Sequence, residues 1–318
     1  MKEKSLNFGK IFNAYGIIII LIAEIVFFAC ANNLFFSYDN IIGVVRQVSF
    51  IGISAVGMTV VLITGGIDLS VGAMLAFSGI ITAKLTVEAG MPLGFAVLIA
   101  LLLGLMFGVL NGVLASKFRV PALIATLATQ TVIKGITFLL TNAYSVKGIS
   151  DDFKFFGQGY IGGVFPVPVL FLIVFFIFGW WLLNKTYIGR RIYAVGGNSE
   201  AARLAGINTS KITIGAYALC GLLTAFAGFM MAGRLGSGQP AVGSGFEMDV
   251  ITAAVLGGVS IFGGKGNIIN VVFGAIIMGA LTNGMIIMGI SEYWQWVAQG
   301  IVLALVVAVR NVNTRELR

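Results

Sequence analysis

The sequence contains no histidine and only two cysteines, Cys30 and Cys220, in 318 residues. Both cysteines lie within apolar runs. The lack of histidine excludes acid–base catalysis by imidazole and zinc sites of the His/Cys type, and two cysteines cannot form a disulfide framework. We therefore expect no catalytic residues, no metal site and no cofactor, and most classes of hydrolytic enzyme are excluded.

Charged residues are also scarce. They make up 10% of the chain, whereas 58% of the residues are hydrophobic and the mean hydropathy is +1.02. A soluble domain carries about 25% charged residues, so this composition could not form a water-facing surface, and the sequence predicts an integral membrane protein. Glycine is abundant instead, with 43 residues, which is typical of helices that pack closely in lipid.

Ten apolar segments are candidates for membrane spans, since about 20 helical residues cross the hydrocarbon core. They lie near residues 14–35, 47–65, 69–87, 92–114, 120–141, 166–184, 212–232, 249–263, 267–290 and 294–310. The eighth is short and rich in glycine, so we expect a broken or re-entrant helix there. The sequence thus predicts an all-α polytopic membrane protein of about ten transmembrane helices, in one transmembrane domain over residues 1–318 with no appended soluble domain.

The distribution of charge predicts the orientation of these spans. If the N-terminus is cytoplasmic, most Lys and Arg residues fall inside and most acidic residues fall outside, as the positive-inside rule requires. Both termini are then cytoplasmic, residues 185–211 form an inner loop and residues 142–165 an outer loop. The net charge of +8 follows from this topology, and no nucleic-acid partner is expected. A cleaved signal peptide ending near residues 29–31 is the alternative for the first span.

Two spans share a pattern of glycines followed by Asn-Gly. The fourth span ends in Asn111-Gly112 and the ninth carries Asn283-Gly284. If these segments correspond, the two halves are offset by five helices, an odd number, and must lie in opposite orientations in the membrane. The sequence therefore predicts an inverted repeat, which is typical of transporters.

The segment between the second and third spans, residues 64–72, is the most unusual stretch. Gly65 and Gly66 permit a tight reversal, and Asp68 can cap the next helix by accepting backbone N–H bonds. Two interpretations stay open, a structural cap at the cytoplasmic edge or a gate at the inner mouth of a pathway. The candidate gate and pathway residues are Gly65, Gly66, Asp68, Ser70, Asn111 and Asn283.

A second glycine-rich stretch, residues 257–266, resembles a phosphate-binding loop at first sight. The pattern G-x-x-x-x-G-K-[ST] would need Gly in place of Val259 and Ser or Thr in place of Gly266. We expect a hairpin between two spans instead, and no ATP hydrolysis by this chain itself.

The inner loop contains a short helix signal. Asn198 or Ser199 can cap a helix that Gly206 ends, and Ala201, Ala202 and Ala205 give it a small-residue face. Such a face fits a groove in another protein, so residues 196–207 are predicted to dock a cytoplasmic partner. A plain connecting loop is the alternative.

The energy source depends on carboxylates inside the membrane. Only Glu24 is placed centrally, and helix packing is the simpler role for it than proton coupling. The other polar groups within spans are mostly neutral and suit either an uncharged hydroxylated solute or bonds between helices: Thr59, Asn111, Thr126, Thr129, Gln130, Asn283 and Gln299.

Two further features lie toward the predicted outer face. The cluster of Tyr293, Trp294 and Trp296 is typical of an aromatic belt, with sugar stacking as the alternative. Lys134, in the outer half of the fifth span, lies within snorkelling reach of the interface.

Three segments together carry a family resemblance. They are GGIDLSVG at residues 65–72, GGNSEAARLAGI at residues 196–207 and AAVLGGVSIFGGKGN at residues 253–267. These segments resemble the permease subunit of monosaccharide ABC importers, the family of ribose, xylose and galactose permeases. The branched-chain amino acid permeases are more distant relatives that lack the I-D-L-S-V-G wording.

The resemblance implies a permease that pairs with a second copy, most simply as a homodimer, and docks cytoplasmic ABC ATPase subunits. An extracytoplasmic sugar-binding protein would deliver the sugar. Alternating access would then move a monosaccharide such as ribose across the cytoplasmic (inner) membrane, whose lipid surrounds the permease. The resemblance implies a coupling element in the segment with the residues Gly196, Gly197, Asn198, Glu200, Ala201, Ala202 and Gly206.

Alternative functions stay open. A related permease could carry a furanone or a nucleoside, and an ion-coupled secondary transporter would use Glu24 or Asp68 as its coupling group. A membrane assembly or receptor component without transport is the remaining alternative.

Overall fold

The computed structural model describes residues 8–315, with side chains described for residues 16–308. This part of the chain is mostly helical. Its helices are α1 (Phe8–Ala31), α2 (Tyr38–Ile63), α3 (Val71–Val87), α4 (Leu93–Ser116), α5 (Ala122–Thr141), α6 (Asp151–Gln158), α7 (Val167–Lys185), α8 (Tyr187–Gly197), α9 (Ser199–Leu204), α10 (Thr209–Leu235), α11 (Phe246–Leu256), α12 (Ile268–Ile287) and α13 (Glu292–Arg315).

The purely helical expectation needs one correction, because two short antiparallel ladders accompany the helices. Strand β1 (Val146–Lys147) pairs with β4 (Ser237–Gly238), and β2 (Tyr160–Ile161) pairs with β3 (Phe165–Pro166). Three of these strands and helix α6 lie in the predicted outer loop. Strands of two residues leave no alternating pattern in a sequence, so hydropathy could not have indicated them.

Each predicted span overlaps a helix, but the helices differ in whether their length and apolar composition suit a membrane span. Within the described residues, α2, α4, α5, α7, α10 and α12 are long and apolar enough to cross, and residues 16–31 and helix α3 are shorter apolar helices. The eighth predicted span is broken, as expected. Helix α11 ends at Leu256, where Gly257 and Gly258 follow, and Gly258 has a positive φ of 96°. The number of ten spans stays a prediction.

Local signals in the sequence explain where several helices begin and end. Pro92, Pro121 and Pro166 immediately precede α4, α5 and α7, where a missing N–H is not needed for the helix ladder. Helix α5 is followed by Asn142 and α10 by Gly236, both in the left-handed conformation that terminates helices.

Helices α2 and α10 form the centre of the molecule. Every residue of α2 from Val48 to Ile63 is buried, which is typical of a helix that is apolar on all sides. Helix α10 packs against α2, α3 and α4, and α2 also packs against α7, α11 and α12. The glycine-rich loops at residues 65–66, 196–197 and 263–264 connect to these two central helices or to helices that pack against them.

Glycines permit the close contact between α4 and α10. A Cβ atom on Gly104 would lie 2.6 Å from the carbonyl oxygen of Gly221, and one on Gly112 would lie 2.6 Å from Cα of Ile214. The backbones of the two helices therefore touch along several turns, as in the small-residue seams of membrane helices.

We expect Gly108→Ala to destabilise this seam. The new Cβ would lie 2.8 Å from Cα of Ala218, and overpacking of this kind costs about 1–3 kcal/mol. The midpoint of thermal unfolding in detergent should fall. Gly215→Ala is the control, because a Cβ there meets no atom within 4 Å. Equal unfolding midpoints for the two variants would contradict the described seam.

Candidate functional site

A buried polar cluster follows the end of α2. Asp68 is 1% exposed, and its Oδ1 accepts hydrogen bonds from the Ser70 amide at 3.0 Å and the Ser70 hydroxyl at 2.6 Å. The side chain of Asn111, on α4, donates to Ser70 Oγ at 2.9 Å and to Asp68 Oδ1 at 3.4 Å. Asp68 therefore accepts the N–H of Ser70, the residue before α3, and Ser70 as N-cap makes no side-chain capping bond, so the predicted cap by Asp68 is one residue short of the helix. Through Asn111 the cluster connects the α2–α3 loop to α4.

Two further helices hold the same loop. Tyr217 on α10 and Thr126 on α5 both donate to the carbonyl oxygen of Ile67, at 3.2 and 3.3 Å. Gly65 has a positive φ of 85°, and a Cβ on Gly66 would lie 3.0 Å from Cζ of Tyr217. The loop between α2 and α3 is thus in contact with α4, α5 and α10. A displacement of the loop would therefore change its contacts with all three helices.

The structure does not bring Asn283 to this cluster. Asn283 lies on α12 beside Gly43, since a Cβ on Gly43 would lie 3.4 Å from its Nδ2. Gly43 is in the second turn of α2, whereas Asp68 follows the last turn of that helix, about 30 Å away at 1.5 Å per residue. Five of the six candidate gate and pathway residues therefore share one region, and Asn283 lies at the opposite end of α2.

The predicted short helix in the inner loop is present as α9. The side chain of Asn198 caps it by accepting from the Ala201 amide at 2.9 Å. At its end, Gly206 has a positive φ of 81°, and Gly206 N–H and Ile207 N–H donate to the carbonyls of Arg203 and Ala202 at 3.0 Å. These two bonds form a Schellman motif, so both predicted ends of the helix are confirmed.

The exposure of α9 corrects one detail of the sequence prediction. Ala202 is buried against the protein itself, whereas Ala201 and Ala205 are exposed. The side chain of Leu204 is 83% exposed, and sequence reasoning missed it. The available signal was an apolar leucine within a largely polar loop. The outer face of α9 therefore combines small residues with an exposed leucine and with Glu200, whose carboxylate pairs with Arg203 at 2.8 Å.

The three glycine-rich loops meet at one place. A Cβ on Gly263 would lie 3.0 Å from the Gly65 nitrogen, and one on Gly264 would lie 2.8 Å from Cα of Gly197. A Cβ on Gly196 would lie 2.7 Å from the Gly264 nitrogen. We call this contact between main chains the glycine junction, formed by Gly65, Gly196, Gly197, Gly263 and Gly264.

Hydrogen bonds hold the loop between α11 and α12 at this junction. The Gly264 N–H donates to the carbonyl of Ile63, the last residue of α2, at 2.9 Å, and Ser260 N–H donates to the Lys265 carbonyl at 2.9 Å. Tyr193 on α8 donates to the Gly266 carbonyl at 2.9 Å. Burial raises the pKa of the Tyr193 phenol, so it stays a neutral donor. The predicted hairpin is present, and it links α8 to α2.

Sequence reasoning treated these three loops separately and therefore missed the junction. Each of them carries a Gly-Gly pair, at residues 65–66, 196–197 and 263–264. That shared pair was the only signal of their contact. The outcome is a continuous path of contacts from the exposed helix α9, through the glycine junction, to the Asp68 cluster.

Comparisons with known proteins give a consistent result. Residues 40–309 match the family described as branched-chain amino acid transport system / permease component. The chain is 43% identical to the ribose import permease protein RbsC of Escherichia coli strain K12, over 92% of each chain. No solved structure gave a significant match.

Two further relatives carry the names of other sugars. The L-arabinose transport system permease protein AraH of Escherichia coli strain K12 is 39% identical over 95% of this chain and 91% of its own. The fructose import permease protein FrcC of Rhizobium meliloti is 35% identical over 93% of this chain and 84% of its own. The resemblance found in the three sequence segments is confirmed, and the chain belongs to this family of transport-system permease components.

Proposed function

We propose that the chain is the permease subunit of an ATP-driven importer that moves a monosaccharide across the cytoplasmic membrane by alternating access. The three relatives named above are permeases for ribose, L-arabinose and fructose, so a ribose-like sugar is the substrate class. The observation that carries the mechanism is the path from α9 through the glycine junction to the Asp68 cluster. It joins an exposed docking surface to buried polar groups.

ATP hydrolysis takes place on a separate ABC ATPase subunit. A partner can shift a conformational equilibrium only through differential affinity for the two states. The ATPase supplies that difference at the outer face of α9, where Glu200 and Leu204 are exposed. Movement of α9 then reaches Gly65 and the loop that holds Asp68, and with it the ends of α3 and α4.

The topology has both termini in the cytoplasm. The predicted inner loops meet at the glycine junction, whereas α6 and the β1–β4 ladder connect predicted outer segments. Because the predicted inner loops and the predicted outer segments form two separate groups of contacts, they support the orientation with both termini in the cytoplasm. Residues 1–7 and 316–318, which carry part of the charge argument, lie outside the described residues.

Ten spans arranged as an inverted repeat account for the packing. Helix α3 packs against α4 as α11 packs against α12, and α3 packs against α5 as α11 packs against α13. Helix α4 packs against α10 as α12 packs against α2. These are the pairings expected when spans two to five exchange with spans seven to ten. The repeat makes Asn111 and Asn283 equivalent, which fits their location at opposite ends of α2.

Further partners complete the importer. An extracytoplasmic sugar-binding protein delivers the substrate, and a second permease copy, as a homodimer, forms the complete pathway. The apolar outer faces of α4 and α7 suit membrane lipid, since Phe95, Leu102, Ile177 and Trp181 are exposed there.

Reconstitution tests the proposal directly. We expect liposomes that contain the permease and its ATPase to accumulate ribose only with ATP and the binding protein, and an uncoupler to have no effect while ATP is held constant. Inhibition by the uncoupler would indicate an ion-coupled transporter that uses Glu24 or Asp68. A lack of uptake of ribose, nucleoside and furanone alike, with all partners present, would indicate a component without transport.

A further inference from the structure

A cavity of about 230 Å³ lies between α3, α5, α11 and α13, close to the middle of α5. Its lining includes Gln130 and Lys134 from α5, Gly72 from α3, Glu247 from α11 and Trp296 from α13. It is separate from the Asp68 cluster and from the glycine junction. Ionisable groups buried within a membrane protein, such as Glu247 here, usually face a water-filled path or a partner group.

The carboxylate of Glu247 has unused hydrogen-bonding capacity. Its Oε1 accepts from Gln130 Nε2 at 3.4 Å, a long bond. Its Oε2 is buried and has no hydrogen-bond partner among the described residues, although a buried acceptor without a partner is costly. Lys134 lines the same cavity as Glu247, but in the described part of the chain no salt bridge within 4.0 Å joins them. A hydroxylated ligand between these groups would supply hydrogen-bond partners for Glu247, Gln130 and Lys134.

Trp296 supplies an aromatic surface at the same cavity. A Cβ on Gly245, which has a positive φ of 81°, would lie 3.1 Å from both Cδ1 and Nε1 of the indole. The indole therefore lies against the backbone before α11, and 41% of the side chain is exposed. Aromatic faces beside a few placed polar groups are the usual composition of a site for a small ligand with apolar and polar sides.

The position of the cavity agrees with the proposed repeat. Helices α3 and α11 are equivalent in it, and so are α5 and α13, so both members of each pair line the cavity. Substrate sites in repeat-built transporters lie at the interface of the repeats. Four independent elements converge on this cavity, which is more than a gap between two helices requires.

We propose that this cavity is a binding site of the permease itself for one neutral monosaccharide. This inference rests on the proposed function and adds the residues that hold the sugar. Glu247 accepts from sugar hydroxyls, Gln130 and Lys134 donate to them, and Trp296 contacts the ring. The charges of Lys134 and Glu247 cancel, which favours an uncharged ligand. The volume is below the roughly 300–1,000 Å³ of sites for drug-sized molecules, so a single sugar ring suits it.

Direct binding tests the site without any partner. Purified full-length permease in nanodiscs would be titrated with radiolabelled ribose, alongside the variants Glu247→Gln and Trp296→Leu. We expect weak saturable binding by the unmodified chain and a roughly tenfold loss in each variant, because Glu247→Gln removes a charged acceptor and Trp296→Leu removes the aromatic contact. Trp294→Leu, at an exposed neighbouring tryptophan, should bind like the unmodified chain.

Uptake gives a second readout that a purely structural role would not move. In liposomes with the ATPase and the binding protein, Trp296→Leu should change the ratio of ribose to L-arabinose uptake, whereas Trp294→Leu, outside the cavity, should leave that ratio unchanged. No binding by the unmodified chain, equal binding by all variants, or an equal fall in uptake of both sugars would overturn the site. Failure of the unmodified importer to accumulate any sugar would instead overturn the proposed function, whatever the binding result.

Discussion

Glu200→Arg is expected to abolish sugar-stimulated ATP hydrolysis and uptake while the permease remains folded and inserted. The Glu200 and Arg203 side chains are 73% and 67% exposed, so their ion pair contributes little to the fold. Arginine at this position would place two like charges side by side on the outer face of α9. Like charges facing a partner site built for a carboxylate cost several kcal/mol, which removes docking of the ATPase.

Co-purification with the ATPase and ribose uptake in liposomes measure this effect. Glu88→Arg is the matched control, because Glu88 is also exposed and pairs at 2.6 Å with Lys84, four residues before it at the C-terminal end of α3. That variant should dock the ATPase normally. Normal uptake by Glu200→Arg would contradict the docking role of α9.

Gly196→Ala is expected to separate ATP hydrolysis from transport. The added Cβ would collide with the Ile63 carbonyl oxygen and would lie 2.7 Å from the Gly264 nitrogen. Both are main-chain atoms, so they cannot move unless helix α2 and the α11–α12 loop also move. The free-energy cost should therefore reach or exceed the roughly 1–3 kcal/mol typical of overpacking. Sugar uptake should fall about tenfold where about 1.4 kcal/mol of this cost weighs against the transport-competent arrangement of the loops, because that free energy is a factor of ten in an equilibrium constant.

Gly197→Ala, at the adjacent residue, is the matched control. A Cβ there meets no atom within 4 Å, so uptake should be close to that of the unmodified chain. The measurement is the number of sugars moved for each ATP hydrolysed, together with ATPase co-purification. If both variants transport alike, the glycine junction does not transmit movement from α9.

Local features of the site could be predicted from the sequence. Asn198 and Gly206 define the ends of α9 through contacts within a few residues, so their residue types alone carry the information. The same holds for the Asp68 contact with Ser70, two positions away. Long apolar runs likewise predicted where the helices lie, since burial in lipid or protein requires them.

Contacts between distant segments could not be predicted in this way. Asp68 and Asn111 were both named as candidates, but their contact joins residues 43 positions apart and leaves no periodic signal. The burial of Ala202 depends on what packs against α9, which a helix of six residues does not reveal. The cavity beside Trp296 was missed for the same reason, because its lining comes from four helices and one loop.

The glycine junction has a consequence for how relatives of this protein diverge. Its contacts run between main-chain atoms, so exchanges of side chains elsewhere cannot adjust their fit, and an atom added at Gly196, Gly263 or Gly264 works against it. Under the proposed function, recognition of the ATPase would then depend on the exposed residues of α9, and the choice of sugar on other parts of the helix bundle. The same junction can then serve importers of different sugars, in which only the ATPase-docking residues and the sugar-binding residues differ.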